Sequence, residues 1–158
     1  MTPRSVPTLG FLLHDAARLL RKRFEQRARH LGLTRSQWQV LALLSTCEGI
    51  HQGGLADRLD LEPITLVRLL DKLEAIGLIE RRPHPTDRRL RLLHLTEKAH
   101  PLLVTARELG EITRAEALEG LSPEDCETLI RLLNTIKSNL VAACDRPIGE
   151  QKRSVEHG

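Results

Sequence analysis

The sequence predicts a mainly α-helical fold carrying one small β-hairpin, and three observations predict it. Apolar residues recur at three- and four-residue steps over most of the chain, the spacing that lines one side of a helix. Aromatic residues, on which sandwiches and barrels draw heavily, amount to two Phe and one Trp, with no Tyr. One stretch alone, residues 78–95, reads as two short strand-like runs around a proline-bearing loop.

The elements follow in order. Residues 1–7 hold two prolines and read as a loose arm. A first helix is expected over 8–30, with Leu9, Leu12, Leu13, Ala16, Leu19, Leu20 and Phe24 on one side. Arg18, Arg21, Lys22, Arg23, Arg27 and Arg29 lie opposite, and Gly32 ends the helix. Thr34 and Gln37 form a T-x-x-Q capping box that opens a second helix through Ser45. Gly49, Gly53 and Gly54 break the chain over 47–54, so the third helix is expected only over 55–59. After a turn at 60–62, Pro63 suits the first position of a fourth helix. That helix reaches about Ile76, with Leu66, Leu69, Leu70 and Leu73 on one face, and Gly77 stops it.

Strands are expected at 78–82 and 90–95, joined by a loop over 83–89. Thr96 can cap a fifth helix reaching about Glu119, in which Pro101 predicts a kink or a tightened first turn. Ser122-Pro123-Glu124-Asp125 starts the last helix: a capping hydroxyl, a proline at the first position, then acids at the positive end of the dipole. It runs to about Ala143, before a polar tail.

The 158 residues suit one ordinary domain, or a small one with added helices. At 41% apolar and 28% charged, the composition is globular. No apolar run approaches the roughly 18 residues of a membrane span, and the start lacks a secretion signal's apolar stretch. A cytoplasmic protein with no membrane partner is expected. Cys47, Cys126 and Cys144 are too few and too scattered for a disulfide framework, and read as buried or half-buried free thiols. The histidines show no ligand spacing, so no metal is expected. No phosphate loop, nucleophile elbow or HExxH run appears, so neither a cofactor nor an enzymatic activity is expected.

The net charge is only +3, but it is unevenly spread. Residues 81–91 hold five arginines (Arg81, Arg82, Arg88, Arg89, Arg91) and one acid, Asp87. Residues 108–145 hold eight acids against three bases. A local basic patch fits either a nucleic-acid contact or a solvated charged loop. The order helix, turn, helix, hairpin over 55–95 favours the first, because the second helix of such a pair enters the major groove by its N-terminal end. There Pro63 and Ile64 open the helix, and Thr65 and Arg68 are its polar, outward candidates one turn apart. Arginine can read guanine with two hydrogen bonds, and a threonine hydroxyl can reach a base or a phosphate. Arg88 and Arg89 at the hairpin tip can reach the adjacent minor groove, with Asp87 orienting one of them through a carboxylate–guanidinium pair. The alternative is a winged-helix protein-interaction module without direct DNA binding.

The runs Leu78-Ile79-Glu80-Arg81-Arg82, Asp87-Arg88-Arg89 and Leu93-His94-Leu95-Thr96-Glu97-Lys98-Ala99 resemble the wing and following helix of MarR-family bacterial transcription regulators. Leu66-Val67-Arg68, Leu73-Glu74 and Gly77-Leu78-Ile79 are similar to the family's recognition helix. The likeness to the SlyA branch extends from Leu33-Thr34 and Trp38 to Thr113-Arg114-Ala115-Glu116 and Leu121-Ser122, and spans roughly residues 10–143. The resemblance implies a homodimer on a palindromic operator, acting as repressor or counter-silencing activator. It implies a winged helix-turn-helix lobe over 33–96 and a discontinuous helical dimerisation region, 8–32 with 97–145, between loose termini 1–7 and 146–158. Thr65 and Arg68 then map to the recognition helix, Arg88 and Arg89 to the wing, and Asp87 to the residue steadying it. The amphipathic first and last helices point to an interface on their own account, since a lone winged lobe needs neither. The resemblance further implies a small phenolic or aromatic carboxylate ligand near Arg18, Arg21, Ser36, Trp38 and Ala42. Peroxide-sensing relatives carry a cysteine near the start of the first helix, where this chain has His14 and no cysteine before Cys47.

Overall fold

The computed structural model describes residues 8–148. The chain divides into two compact units, Met1–Ala117 and Leu118–Gly158. In the first unit, α1 spans Leu9–Ala28 and tightens into a single 3-10 turn, Arg29–Leu31. Gly32 follows with φ 75°, a left-handed conformation that residues with a side chain avoid, and the helix ends there. α2 (Arg35–Leu44) opens on the expected capping box. The Gln37 amide donates to Thr34 Oγ1 at 3.3 Å, and the Thr34 amide donates to Gln37 Oε1 at 2.9 Å.

α3 spans Gln52–Leu59 and starts three residues earlier than the sequence predicts. The glycines do not break it. His51 caps it, its Nδ1 accepting the Gly54 N–H at 3.1 Å. A Cβ at Gly54 would lie 3.1 Å from Ile50 Cγ1, so the missing side chain makes room for Ile50 inside the first turn. α4 spans Pro63–Ala75 with proline at its start, as expected.

β1 (Ile79–Pro83) and β2 (Arg91–Leu95) pair antiparallel, Ile79 opposite Leu95 and Pro83 opposite Arg91. Strand starts and the first strand's end fall one residue later than predicted. A third segment, absent from the sequence reading, joins the edge of β2. The Gly49 amide donates to the Leu93 carbonyl at 2.8 Å, the Leu93 amide donates to the Ile50 carbonyl at 2.9 Å, and His51 bridges Leu92. So short a segment shows no alternation by which to be seen.

α5 spans Ala99–Ala117, beginning three residues after the expected cap. Thr96 does not cap it. Its hydroxyl donates to the Gly77 carbonyl at 2.5 Å, while Lys98 Nζ donates to the Ile76 carbonyl at 2.8 Å. Both close the C-terminal end of α4, where unpaired carbonyls favour donors and cations. Residues 96–98 form a tight turn, the Ala99 amide donating to the Thr96 carbonyl at 3.0 Å. Pro101 is the third helical residue, where an N–H has no helical partner anyway.

One core joins α2, α3, α4, the hairpin and the start of α5 through Leu41, Leu44, Leu55, Leu66, Leu70, Leu73, Ile79, Leu93 and Ala99, all buried. A smaller cluster of Ala28, Trp38 and Ala106 joins α1, α2 and α5, with Phe24 edge-on to Trp38 at 5.6 Å between ring centres. Glu116 of α5 ties α1 down, accepting from Arg23 at 2.9 and 2.8 Å and from Arg27. The Arg23 hydrogen bonds, then those of Arg27, hold its carboxyl at about 2. The first part of the apolar stripe of α1 has no such cover: Leu9, Leu12, Leu13, Leu19 and Leu20 are exposed.

In the second unit α6 spans Pro123–Cys144, its start capped by Ser122 Oγ accepting the Asp125 N–H at 3.1 Å. Leu129, Ile130, Leu132, Leu140 and Val141 on it are exposed. All three cysteines are free; Cys47 and Cys126 are half-buried, but Cys144, at the last turn of α6, is exposed and not covered as expected. No described helix is long and apolar enough to cross a membrane. The expected loose termini lie outside the described residues, apart from 146–148.

Candidate nucleic-acid interface

Burial of Leu66, Leu70 and Leu73 fixes which way α4 faces. That rotation leaves Pro63, Ile64, Thr65 and Arg68 exposed along its N-terminal half. Ile64 is 66% exposed, a large apolar side chain turned to water by the same rotation. Glu62 stands at the cap position with no side-chain capping bond, so the end of α4 keeps its positive partial charge available to an anion. Among the described residues Arg68 has no carboxylate partner.

The wing tip runs from His84 to Leu90. Asp87 pairs with Arg89 and not with Arg88: its Oδ1 accepts the Arg89 backbone N–H at 3.0 Å and Nε at 3.2 Å, and its Oδ2 accepts the guanidinium at 3.3 Å. These bonds hold the Asp87 carboxyl below the usual carboxylate range, the side-chain bond first and the backbone bond second. The Arg89 side chain stays 89% exposed, so it is aimed without being covered. His84 Nδ1 accepts the backbone N–H groups of Thr86 at 3.2 Å and Asp87 at 3.1 Å.

The five arginines counted on this run do not act alike. Arg81 turns inward, its side chain 15% exposed. It donates to Gln52 Oε1 of α3 at 2.7 Å, Asp71 of α4 at 2.7 Å and Glu74 of α4 at 3.2 Å. Its backbone N–H also reaches Glu74, at 3.2 Å. Arg81 therefore bolts α3 and α4 to β1 and is not available to a phosphate. Strand alternation carries the signal: Arg81 is two residues from buried Ile79 and opposite buried Leu93. Arg82 is paired with Glu80. Arg82, Arg88, Arg89 and Arg91 are all exposed, and of these Arg88 and Arg91 have no carboxylate partner among the described residues.

Away from this face, a cavity of about 480 Å³ opens between α1, α2 and α5. Arg21, Trp38 and Ala42 line it, with Phe24, Arg107 and Arg114. Arg18 and Ser36 are not in its wall. Arg18 bonds Asp15 at 3.4 Å on the exposed side of α1. Ser36 lies two residues before Trp38, about 200° round the helix from it. The buried Trp38 Nε1 has no hydrogen-bond partner. Arg107 and Arg114 come from α5, outside the sequence expectation for this pocket.

The family model described as "MarR family" matches residues 33–90. The crystal structure of the transcriptional regulator PA3341 superposes with a TM-score of 0.76 at 32% identity, over 85% of this chain and 99% of that one. The chain belongs to the MarR family. The transcriptional repressor CouR, bound to a 23-mer DNA duplex, matches at 31% identity and TM-score 0.71, over 82% of this chain and 92% of that one. A point mutant of MarR from E. coli, complexed with operator DNA, matches at 27% identity and TM-score 0.70, over 81% and 92%. This chain is thus a MarR-family regulator, and it has the helical fold with a two-stranded hairpin that the sequence predicts.

Proposed function

We propose that this chain is a homodimeric, sequence-specific DNA-binding transcription regulator acting in the cytoplasm, with α4 in the major groove and the wing in the minor groove of a palindromic operator. The observation that carries the reading is the outward N-terminal half of α4, with Thr65 and Arg68 exposed, in the same lobe as a wing whose Arg89 is aimed by Asp87. Two relatives of this architecture carry DNA in their structures. Thr65 and Arg68, flanked by Pro63 and Ile64, read base edges, and Arg88 and Arg89 enter the minor groove. Residues 33–96 form the DNA-reading lobe, and 8–32 with 97–145 form the dimerisation region, as the exposed leucines of α1 and the exposed apolar residues of α6 require a partner. The likeness from Leu33-Thr34 and Trp38 to Leu121-Ser122 supports a SlyA-like reading within the family.

The cavity lined by Arg21, Trp38 and Ala42 supports a second element of the reading. A small phenolic or aromatic carboxylate would place its ring on the Trp38 wall and its charge at a guanidinium, and its binding would release the operator.

Selection of bound duplexes from a random library, at two salt concentrations, tests the reading. A two-fold-symmetric consensus whose affinity falls steeply with salt is expected. No enrichment, with or without an aromatic carboxylate, would leave the chain a protein-interaction module.

A further inference from the structure

We propose that neutral His84 is the positioning residue of the wing: it fixes the turn that presents Arg88 and Arg89, and its protonation releases that turn and weakens operator binding. The proposal rests on the DNA-binding reading above.

Pro83 and Pro85 flank His84 and have no N–H with which to fasten the turn. The tip is closed by the His84 amide donating to the Leu90 carbonyl at 3.2 Å and the Leu90 amide donating to the Asp87 carbonyl at 3.1 Å. Inside that frame the backbone N–H groups of Thr86 and Asp87 both converge on His84 Nδ1, at 3.2 and 3.1 Å. The Thr86 hydroxyl stands 3.4 Å from the same nitrogen. The line of contacts continues: the ring holds the Asp87 backbone, and the Asp87 carboxylate holds the Arg89 backbone and guanidinium.

Only a neutral imidazole with its proton on Nε2 offers a lone pair at Nδ1. The cation puts an N–H there, facing two other donors. The turn is therefore intact while the ring is neutral and released once the ring is protonated. The charged group next to the ring is Asp87, whose carboxylate is paired with Arg89 at 3.2 Å. Arg82, paired with Glu80, and Arg91, opposite Pro83, flank the loop on the two strands. Among the described residues no helix donates to or accepts from the ring.

His84→Asn tests this, because an asparagine Oδ1 sits close to where Nδ1 does and accepts at every pH. His84→Ala removes the acceptor. Dissociation constants for a duplex recovered by the selection are measured at fixed salt from about pH 8 to pH 5.5, and the Thr86 and Asp87 amide resonances are followed in DNA-free protein. Wild type is expected to weaken about tenfold across the range, as two hydrogen bonds are lost. The asparagine variant should keep the pH 8 affinity of wild type with that dependence removed, and the alanine variant should be about tenfold weaker already at pH 8. The amides should titrate in wild type and stay fixed in the asparagine variant. The other six histidines are shared by all three proteins, so the difference between wild type and His84→Asn isolates this ring. An asparagine variant with the wild-type pH profile, an alanine variant with wild-type affinity at pH 8, or wild-type amides that do not titrate would each overturn the proposal. Titrating amides in a protein that binds no duplex at any pH would instead overturn the DNA-binding reading, and the wing's functional role with it.

Discussion

Arg68 of α4 and Arg81 of β1 lie in the lobe proposed to read DNA, and their surroundings differ sharply. Arg68 is exposed and lacks a carboxylate partner among the described residues. Arg68→Ala should lose about 1–3 kcal/mol of discrimination at one position of each half-site and leave thermal stability nearly unchanged. Binding across operator variants checks it; a profile like that of wild type would reassign Arg68 to phosphate contact. Arg81 is inward and holds Gln52, Asp71 and Glu74 at once. Arg81→Met should destabilise the lobe by about 1–3 kcal/mol, since three polar groups lose their common donor. Urea unfolding measures this, and an unchanged midpoint would mean that water replaces the guanidinium. Sequence alone made the exposed positions legible, because helix periodicity says which side Leu66, Leu70 and Leu73 occupy. It counted Arg81 with the basic run because charge was summed along the chain, where strand alternation would have turned that residue inward. Nor could it choose between Arg88 and Arg89 as the partner of Asp87, a matter of turn geometry and not of spacing.

At the scale of elements, start signals that act locally were readable and those that act at a distance were not. The Thr34 box and the Ser122 cap bond their own first turns. The Thr96 hydroxyl, read as a cap, serves the far end of α4 at Gly77. Gly53 and Gly54, read as breakers, sit inside α3 because His51 caps it. Of the cavity wall, Arg21, Trp38 and Ala42 came from the family resemblance, but the α5 side with Arg107 and Arg114 comes from packing. The contact of α1 with α5 makes a prediction that pH can read. The Glu116 carboxyl is held at about 2 in the folded chain against an ordinary 4.5, by hydrogen bonds from Arg23 and then Arg27. A depressed carboxyl stabilises the fold above its unfolded value, and that contribution is lost as pH falls through the folded value. Glu116→Gln should therefore be less stable than wild type near neutrality, with the gap closing between about pH 4.5 and pH 2. Thermal melts at stepped pH check it; a gap that is constant with pH would assign the effect to packing. The group is open to solvent, so salt should narrow the gap.

At the scale of the whole molecule, the exposed apolar residues are the feature that one chain does not account for. Leu9 is 57% exposed, Leu12 54% and Leu19 51%, at spacings that put them on one side of α1. In the proposed dimer this face is the interface, and two copies meeting through it would form a symmetric pair, the commonest oligomer. A symmetric pair in turn predicts a symmetric operator, its two recognition helices about one DNA turn, ~34 Å, apart. Leu12→Glu combined with Leu19→Glu separates the interface from the core. Both residues are exposed within the single chain, so the variant should keep its helical circular dichroism. It should sediment as a monomer where wild type sediments as a dimer, and should bind a half-site as wild-type monomers would while losing the gain from tethering two half-sites. A folded variant that still sediments as a dimer would place the interface elsewhere, and the exposed face of α6 would be the next to carry the same pair of charges.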